Sequence, residues 1–242
     1  MKYMGILLPE TNTIVEKEII QMIAEYPNML NQVSFHFSRI EVKTDYVQSE
    51  INFLMELYAN RERAYNLLES IPLNIIGFFC TSAIVLGKHK NFVICDMING
   101  IRCVDPLHAL ILACMRFSSR KVLLLSPYNQ QTSQLLESNL KSASVPICQT
   151  IVLNINKNID KYSFEKTKKL IMSNLQDDTD LIIISCTNFR TLDLISFFEK
   201  EINIPVISSN QSLFWLMCRE LDIECSKLVK YGSIFRTVGR II

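Results

Sequence analysis

A buried strand that ends in a cysteine occurs twice in this chain, and that duplication limits its architecture more than any other feature. The first copy is Asn74-Ile75-Ile76-Gly77-Phe78-Phe79-Cys80-Thr81-Ser82 and the second is Asp180-Leu181-Ile182-Ile183-Ile184-Ser185-Cys186-Thr187-Asn188. Each apolar run reads as a parallel strand covered on both faces. Each passes through Cys-Thr into a polar step, and after Cys186 the positions Leu192, Ile195 and Phe198 recur at helical spacing, so a helix is expected to open there. The cysteines lie 106 residues apart, which suits a repeated α/β unit. A thiol at a strand carboxyl end and a helix amino terminus faces free N–H groups and the positive end of the helix dipole. That placement predicts a pKa lowered from about 8.5 toward the 3.5–7.5 range of activated cysteines. A cysteine that ends an apolar strand is often only packing. Packing, however, does not call for Thr and a polar step after both copies, so a site built from two thiols is the expectation.

With 242 residues and 49% apolar content, the chain can bury a substantial core as one large or two small domains. A net charge of +1 argues against general attraction to nucleic acid. No apolar run approaches the roughly 18 residues of a membrane span, and Ile6-Leu7-Leu8 is too short for a secretory signal, so a cytoplasmic protein with no membrane partner is expected. The eight cysteines form no Cys-x-x-Cys pair and fall mostly in apolar runs, which predicts reduced thiols.

In chain order, Gly5 to Leu8 predicts a first strand closed by Pro9. Thr13 and Glu16 have capping-box spacing, so a helix is expected from there toward Ala24. Val33 to Ile40 alternates as a half-buried strand does, and a helix is expected from about Ser49 to Leu68. Beyond Cys80, a strand over Phe92 to Cys95 leads through Asn99-Gly100 to Asp105-Pro106, which opens a helix over Leu107 to Phe117. Lys121 to Leu125 is a further buried strand, ending in Ser126-Pro127-Tyr128-Asn129 much as the first strand ends at Pro9. A helix through Leu135 and Leu140, a strand near Ile147 to Leu153 and a helix from Ser163 to Leu175 lead to the Cys186 strand, and Ile204 to Ile207 precedes a last helix around Trp215. Alternating strands and helices give βαβ units with right-handed crossovers, and ligands in such sheets sit at the strand carboxyl ends. The expected domains are 1–117, with 222–242 returning to it, and 118–221.

Cys80 and Cys186 are therefore the candidate chemical groups, and N–H groups beside Thr81, Ser82, Thr187 and Asn188 are placed to stabilise developing negative charge. Asn12, Thr13, Tyr128, Asn129, Ser209 and Asn210 lie at the same edge. Capping and turn formation account for most of these, but a turn has no need of the Tyr128 phenol. Cys95, Cys103, Cys114, Cys148, Cys218 and Cys225 lack the strand-end context. The three histidines show no metal spacing, and six glycines provide no phosphate-cradling loop. No metal or nucleotide cofactor is indicated.

Taken together, Gly5-x-x-x-Pro9-x-x-Asn12-Thr13-x-x-Glu16, His36-x-x-Arg39, Cys80-Thr81-Ser82, Ser126-Pro127-Tyr128, Ser185-Cys186-Thr187-Asn188-Phe189-Arg190-Thr191, Glu199, Pro205 to Gln211 and Trp215 resemble the aspartate/glutamate racemase superfamily. Within it they are most similar to the maleate cis-trans isomerase and arylmalonate decarboxylase branch. The resemblance implies two flavodoxin-like domains, each a doubly wound parallel sheet, related by a pseudo-twofold axis. It places a cofactor-free active site between them and implies a homodimer or higher homo-oligomer. It implies a small carboxylate or dicarboxylate substrate, with Cys80 adding to a double bond or abstracting a proton and Cys186 acting as acid and base. Asn12 and Tyr128 are implied to bind substrate carboxylate, and Asn154 or Asn156 is implied to contact substrate. Racemases use the two thiols on opposite faces of Cα, whereas decarboxylases keep only the second. A decarboxylase, or a small-carboxylate binding protein without turnover, therefore stays open. Glu10 and Asp105 depart from the family pattern, and inward-pointing carboxylates would disfavour a dianion.

Overall fold

The computed structural model describes residues 1–45, 49–91, 96–155 and 157–236. The predicted strand over Phe92 to Cys95 lies outside these residues. A first sheet is built from β1 (Lys2–Pro9), β2 (Val33–Ile40), β3 (Ile75–Phe78), β4 (Met97–Ile98) and β5 (Ile101–Val104). The order is β2-β1-β3-β5-β4, with β4 alone running antiparallel, through a hairpin whose Asn99 and Gly100 have φ of +48° and +80°. Asn-Gly readily adopts the positive φ a two-residue hairpin turn requires, so this sheet is mixed rather than wholly parallel as expected. The second sheet, β6 (Val122–Ser126), β7 (Ile147–Val152), β8 (Leu181–Ile184) and β9 (Val206–Ser208), is fully parallel in the order β7-β6-β8-β9. The central strands β3, β6 and β8 are buried throughout, as their unbroken apolar runs require.

The helices are α1 (Val15–Glu25), α2 (Glu50–Asn66), α3 (Thr81–His89), α4 (Pro106–Phe117), α5 (Gln130–Ser142), α6 (Phe164–Asn174), α7 (Leu192–Glu201) and α8 (Ser209–Glu220). Several begin where the sequence supplies a cap: Ser49, Asp105, Asn129 and Ser163 each accept a backbone N–H from the first turn, and Ser208 with Gln211 forms a capping box on α8. The start of α1 is different. Asn12 Oδ1 accepts the N–H groups of Ile14 and Val15 at 3.0 Å each, while Glu16 pairs with Arg39, so the Thr13/Glu16 capping box does not form. The helix after Cys186 starts only at Leu192, because Cys186 to Arg190 form a turn.

The two halves interlock. α4 follows the first sheet but packs on β8 and β9; α8 follows the second but packs on β3 and β5. Phe214 of α8 stacks on Phe35 at 5.9 Å, and a Cβ at Gly77 would come within 2.6 Å of Met217 Sδ, so Gly77 lets α8 approach β3. Among the described residues no helix is long and apolar enough to cross a membrane, and no group of three or more His, Cys, Asp or Glu is arranged to hold a metal. Cys103 is disulfide-bonded, contrary to the all-reduced expectation, while Cys80, Cys114, Cys148, Cys186, Cys218 and Cys225 are free.

Candidate active site

In both sheets the strand order reverses between adjacent parallel strands, at β1/β3 and at β6/β8. Such switch points open a crevice at the strand carboxyl ends. Asn12 follows β1, Cys80 follows β3, Tyr128 follows β6 and Cys186 follows β8, so the four loops at the two crevices carry the candidate residues.

Cys80 is the N-cap of α3, with extended backbone at φ −151°. Its sulfur lies 3.7 Å from Ser82 Oγ and beside the Ala83 N–H at the amino terminus of α3, without making a side-chain cap bond to that helix. Cys186 sits six residues before α7, with φ +92°, a region sparsely populated by residues with side chains. That turn folds the chain back so that the Asn188 N–H donates to Cys186 Sγ at 3.4 Å. Its thiol is thus polarised by its own turn rather than by a helix.

One hydroxyl ties the two cysteine loops together. Ser209 Oγ accepts Thr81 Oγ1 at 3.0 Å and the Cys186 N–H at 3.1 Å. Thr187 Oγ1 donates to the Phe79 carbonyl at 3.0 Å and accepts Asn12 Nδ2 at 3.3 Å. Arg39 donates to the carbonyls of Glu10 and Asn12 at 2.8 and 2.9 Å, fixing the loop after β1. Asn188 Oδ1 accepts the Thr13 N–H at 2.9 Å. After these bonds, Asn12 and Asn188 each retain amide N–H capacity toward a ligand.

These loops enclose a cavity of about 570 Å³, a size typical of small-molecule sites. Asn12, Cys80, Thr81, Ser82, Tyr128, Cys186, Thr187 and Asn188, the full sequence-derived set, all line it. The two thiols therefore face one space. Asn154, with φ +50°, does not line it, and Asn156 is outside the described residues. Glu10 and Asp105 are also absent from the wall. Asp105 caps α4 through the His108 N–H at 2.9 Å, so the carboxylates that departed from the family pattern do not crowd the ligand space.

The expected lowering of the thiol pKa values does not occur. Each cysteine is 6% exposed, and desolvation outweighs the N–H groups on its sulfur. Burial raises the Cys80 pKa and pushes Cys186 up to about 12. The Tyr128 phenol is raised as well, first by burial and then by the neighbouring Cys186. Its Oη lies near Ser185 and Thr81 yet makes no hydrogen bond of ordinary geometry. A buried phenol normally finds a well-formed partner, and this one stands on the cavity wall beside both thiols without one.

Lys43, Thr44 and Asp45 on one side and Lys157, Asn158 and Asp160 on the other complete the outer wall, and sequence reasoning missed them. No motif or spacing marks these loop residues. Glu56 holds one loop by accepting the N–H groups of Lys43 and Thr44 at 2.6 and 2.9 Å, and Asp160 in the other accepts Thr13 Oγ1 at 3.2 Å.

The family model described as arylmalonate decarboxylase matches residues 95–234. The maleate isomerase of Nocardia farcinica is 21% identical over 237 residues, covering 92% of this chain and 91% of that protein. A cysteine-to-serine mutant of the Nocardia farcinica maleate cis-trans isomerase, with a covalently bound succinylcysteine intermediate, matches with a TM-score of 0.83 at 20% identity over 98% of this chain and 99% of that one. A cysteine-to-alanine mutant of the maleate isomerase from Pseudomonas putida, with maleate, matches with a TM-score of 0.81 at 18% identity over 97% of each chain.

Proposed function

This chain belongs to the arylmalonate decarboxylase family, and on that premise we propose that it is a cofactor-independent cis-trans isomerase of a small cis-unsaturated dicarboxylate of the maleate type. One observation carries the reading: two free thiols, delivered by matching strand ends of two sheets, line a single cavity. A decarboxylation needs one proton donor, whereas adding to and leaving a double bond needs a nucleophile and a separate acid.

The geometry supports the following sequence. Tyr128 Oη and the free amide N–H groups of Asn12 and Asn188 hold the substrate carboxylates. Cys80, as thiolate, forms a bond from Sγ to one alkene carbon, and the π electron pair moves toward the far carboxylate as an enediolate. Donors already in place stabilise that charge without reorganising. The Cys186 thiol delivers its proton to the second carbon, giving a saturated thioether. Rotation about the new single bond turns the cis arrangement to trans. Cys186, now a thiolate held by the Asn188 N–H, removes the proton, and the electron pair re-forms the double bond and expels Cys80. A high Cys186 pKa suits it to stay protonated until the enediolate, a stronger base, forms beside it.

The family description favours one further reading, decarboxylation of a malonate-type acid. Proton NMR in D₂O with maleate, aspartate, glutamate and phenylmalonate separates the cases. Isomerisation predicts cis-to-trans conversion of maleate that disappears in both Cys80→Ala and Cys186→Ala. Carbon dioxide release from phenylmalonate that survives Cys80→Gly would replace it with the decarboxylase reading, and Cα exchange of an amino acid with a racemase.

A further inference from the structure

Glu18, a residue no motif singled out, lies on α1 in the first half of the chain, is 4% exposed, and reaches the turn that carries Cys186 in the second half. Its carboxylate accepts the Thr191 N–H at 2.6 Å, the Leu192 N–H at 3.2 Å and Asn210 Nδ2 at 2.7 Å, with Thr191 Oγ1 at 2.9 and 3.1 Å from its two oxygens. The first N–H groups of a helix lack partners within it. The Thr191 side chain does not cap α7, so Glu18 supplies that cap from a different helix.

Asn210 extends the contact to the site. Its two amide hydrogens are both used, one on Glu18 and one on the Thr187 carbonyl at 3.0 Å. With Glu18 as acceptor, the amide cannot flip without setting its oxygen against a carboxylate. Thr187 in turn donates to the carbonyl of Phe79, the residue before Cys80. A non-glycine residue at φ +92° persists only where its surroundings over-determine it, at a cost of order 1–3 kcal/mol. The Ser209 contact fixes the Cys186 N–H, and Glu18 with Asn210 fixes the Thr187 carbonyl and the far end of the turn.

We infer that Glu18 is a positioning residue: from the opposite half of the molecule it clamps the Ser185–Thr191 turn, through Thr191 and Asn210, so that the Cys186 sulfur is held in the cavity facing the substrate. The kinetic part of this inference rests on the proposed isomerase; the conformational part does not.

The test measures iodoacetamide labelling of Cys186 and Cys80 in the same molecules by peptide mass spectrometry, beside steady-state kinetics with maleate. In Glu18→Gln, Cys186 labels at least tenfold faster while Cys80 stays within twofold, because only the clamped turn is released. In the kinetics, kcat falls at least tenfold with KM within about twofold. Asn210→Ala changes labelling in the same direction, and the double variant labels no faster than the quicker single variant, since both residues act through one contact chain. An unchanged Cys186-to-Cys80 labelling ratio in the folded variants overturns the inference. An equal acceleration of both cysteines overturns it too, since that is general loosening. If Glu18→Gln does not fold, Asn210→Ala alone decides. Labelling as predicted without turnover of maleate would leave the clamp standing and overturn the isomerase reading alone.

Discussion

Replacing Tyr128 by Phe separates ligand contact from structural support, because the phenol oxygen meets Ser185, Thr81 and the Cys186 sulfur without ordinary hydrogen-bond geometry. The ring is buried at 3% exposure and Phe retains its packing, while the Oη makes no hydrogen bond of ordinary geometry. The stability change is therefore expected within about 1 kcal/mol, which for a chain of this size is a Tm shift of no more than about 2–4 °C. A hydrogen bond to a charged group contributes about 1.5–3 kcal/mol. Losing one to a substrate carboxylate lowers kcat/KM by roughly 10- to 150-fold, since 1.4 kcal/mol is tenfold. The assay is steady-state conversion of maleate followed by NMR, with a thermal melt of the same preparations. A loss under about threefold at unchanged Tm would show that the phenol does not touch substrate. A Tm drop beyond about 8 °C would show that its hydroxyl is structural, and either result refutes the reasoning.

Other perturbations probe the pKa values and the backbone. Because burial raises the Cys80 thiol, only a small thiolate fraction exists at neutral pH, and kcat/KM climbs steeply and without a plateau between pH 7 and 9. Cys186, near 12, remains an acid over that range, so no falling limb appears in the pH–rate profile below about pH 10; a bell centred near neutrality would contradict these directions. Cys186→Gly is at least as stable as Cys186→Ala in chemical denaturation, reversing the usual order, because only Gly adopts φ +92° without strain. Gly232→Ala lowers Tm by several degrees, since φ is +129° and the new Cβ would lie 2.0 Å from Gln211 Nε2, which the capping box and the Tyr231 carbonyl hold in place.

The parts of this molecule readable from sequence were those written in local chemistry. Unbroken apolar runs gave β3, β6 and β8, and the polar residues at their ends gave the positions that meet in the cavity. Family resemblance added Asn12 and Tyr128, which periodicity alone would leave as a cap and a turn residue. What stayed hidden depends on tertiary packing. A helix-terminus argument predicts a lowered thiol pKa, but it cannot weigh the desolvation that arises when two halves close over both sulfurs. Nor does the sequence show that Cys186 takes a left-handed backbone, which delays α7 to Leu192. Glu18 was invisible because its partners lie more than 170 residues away, and Glu16, with its capping-box spacing, is committed to Arg39 instead. The outer-wall residues Lys43, Asp45, Lys157 and Asp160 come from irregular loops, where no period exists to be read.

Intact-protein and peptide mass spectrometry of Cys186→Ala incubated with maleate tests the two-thiol mechanism most directly. Without the second thiol, water entering the cavity supplies the proton that completes the thioether and no base remains to remove it, so the account predicts a trapped adduct with the mass of one maleic acid added at Cys80, absent when Cys80 is also replaced. An adduct at any other residue, or full cis-to-trans turnover by Cys186→Ala with no adduct at all, would contradict it.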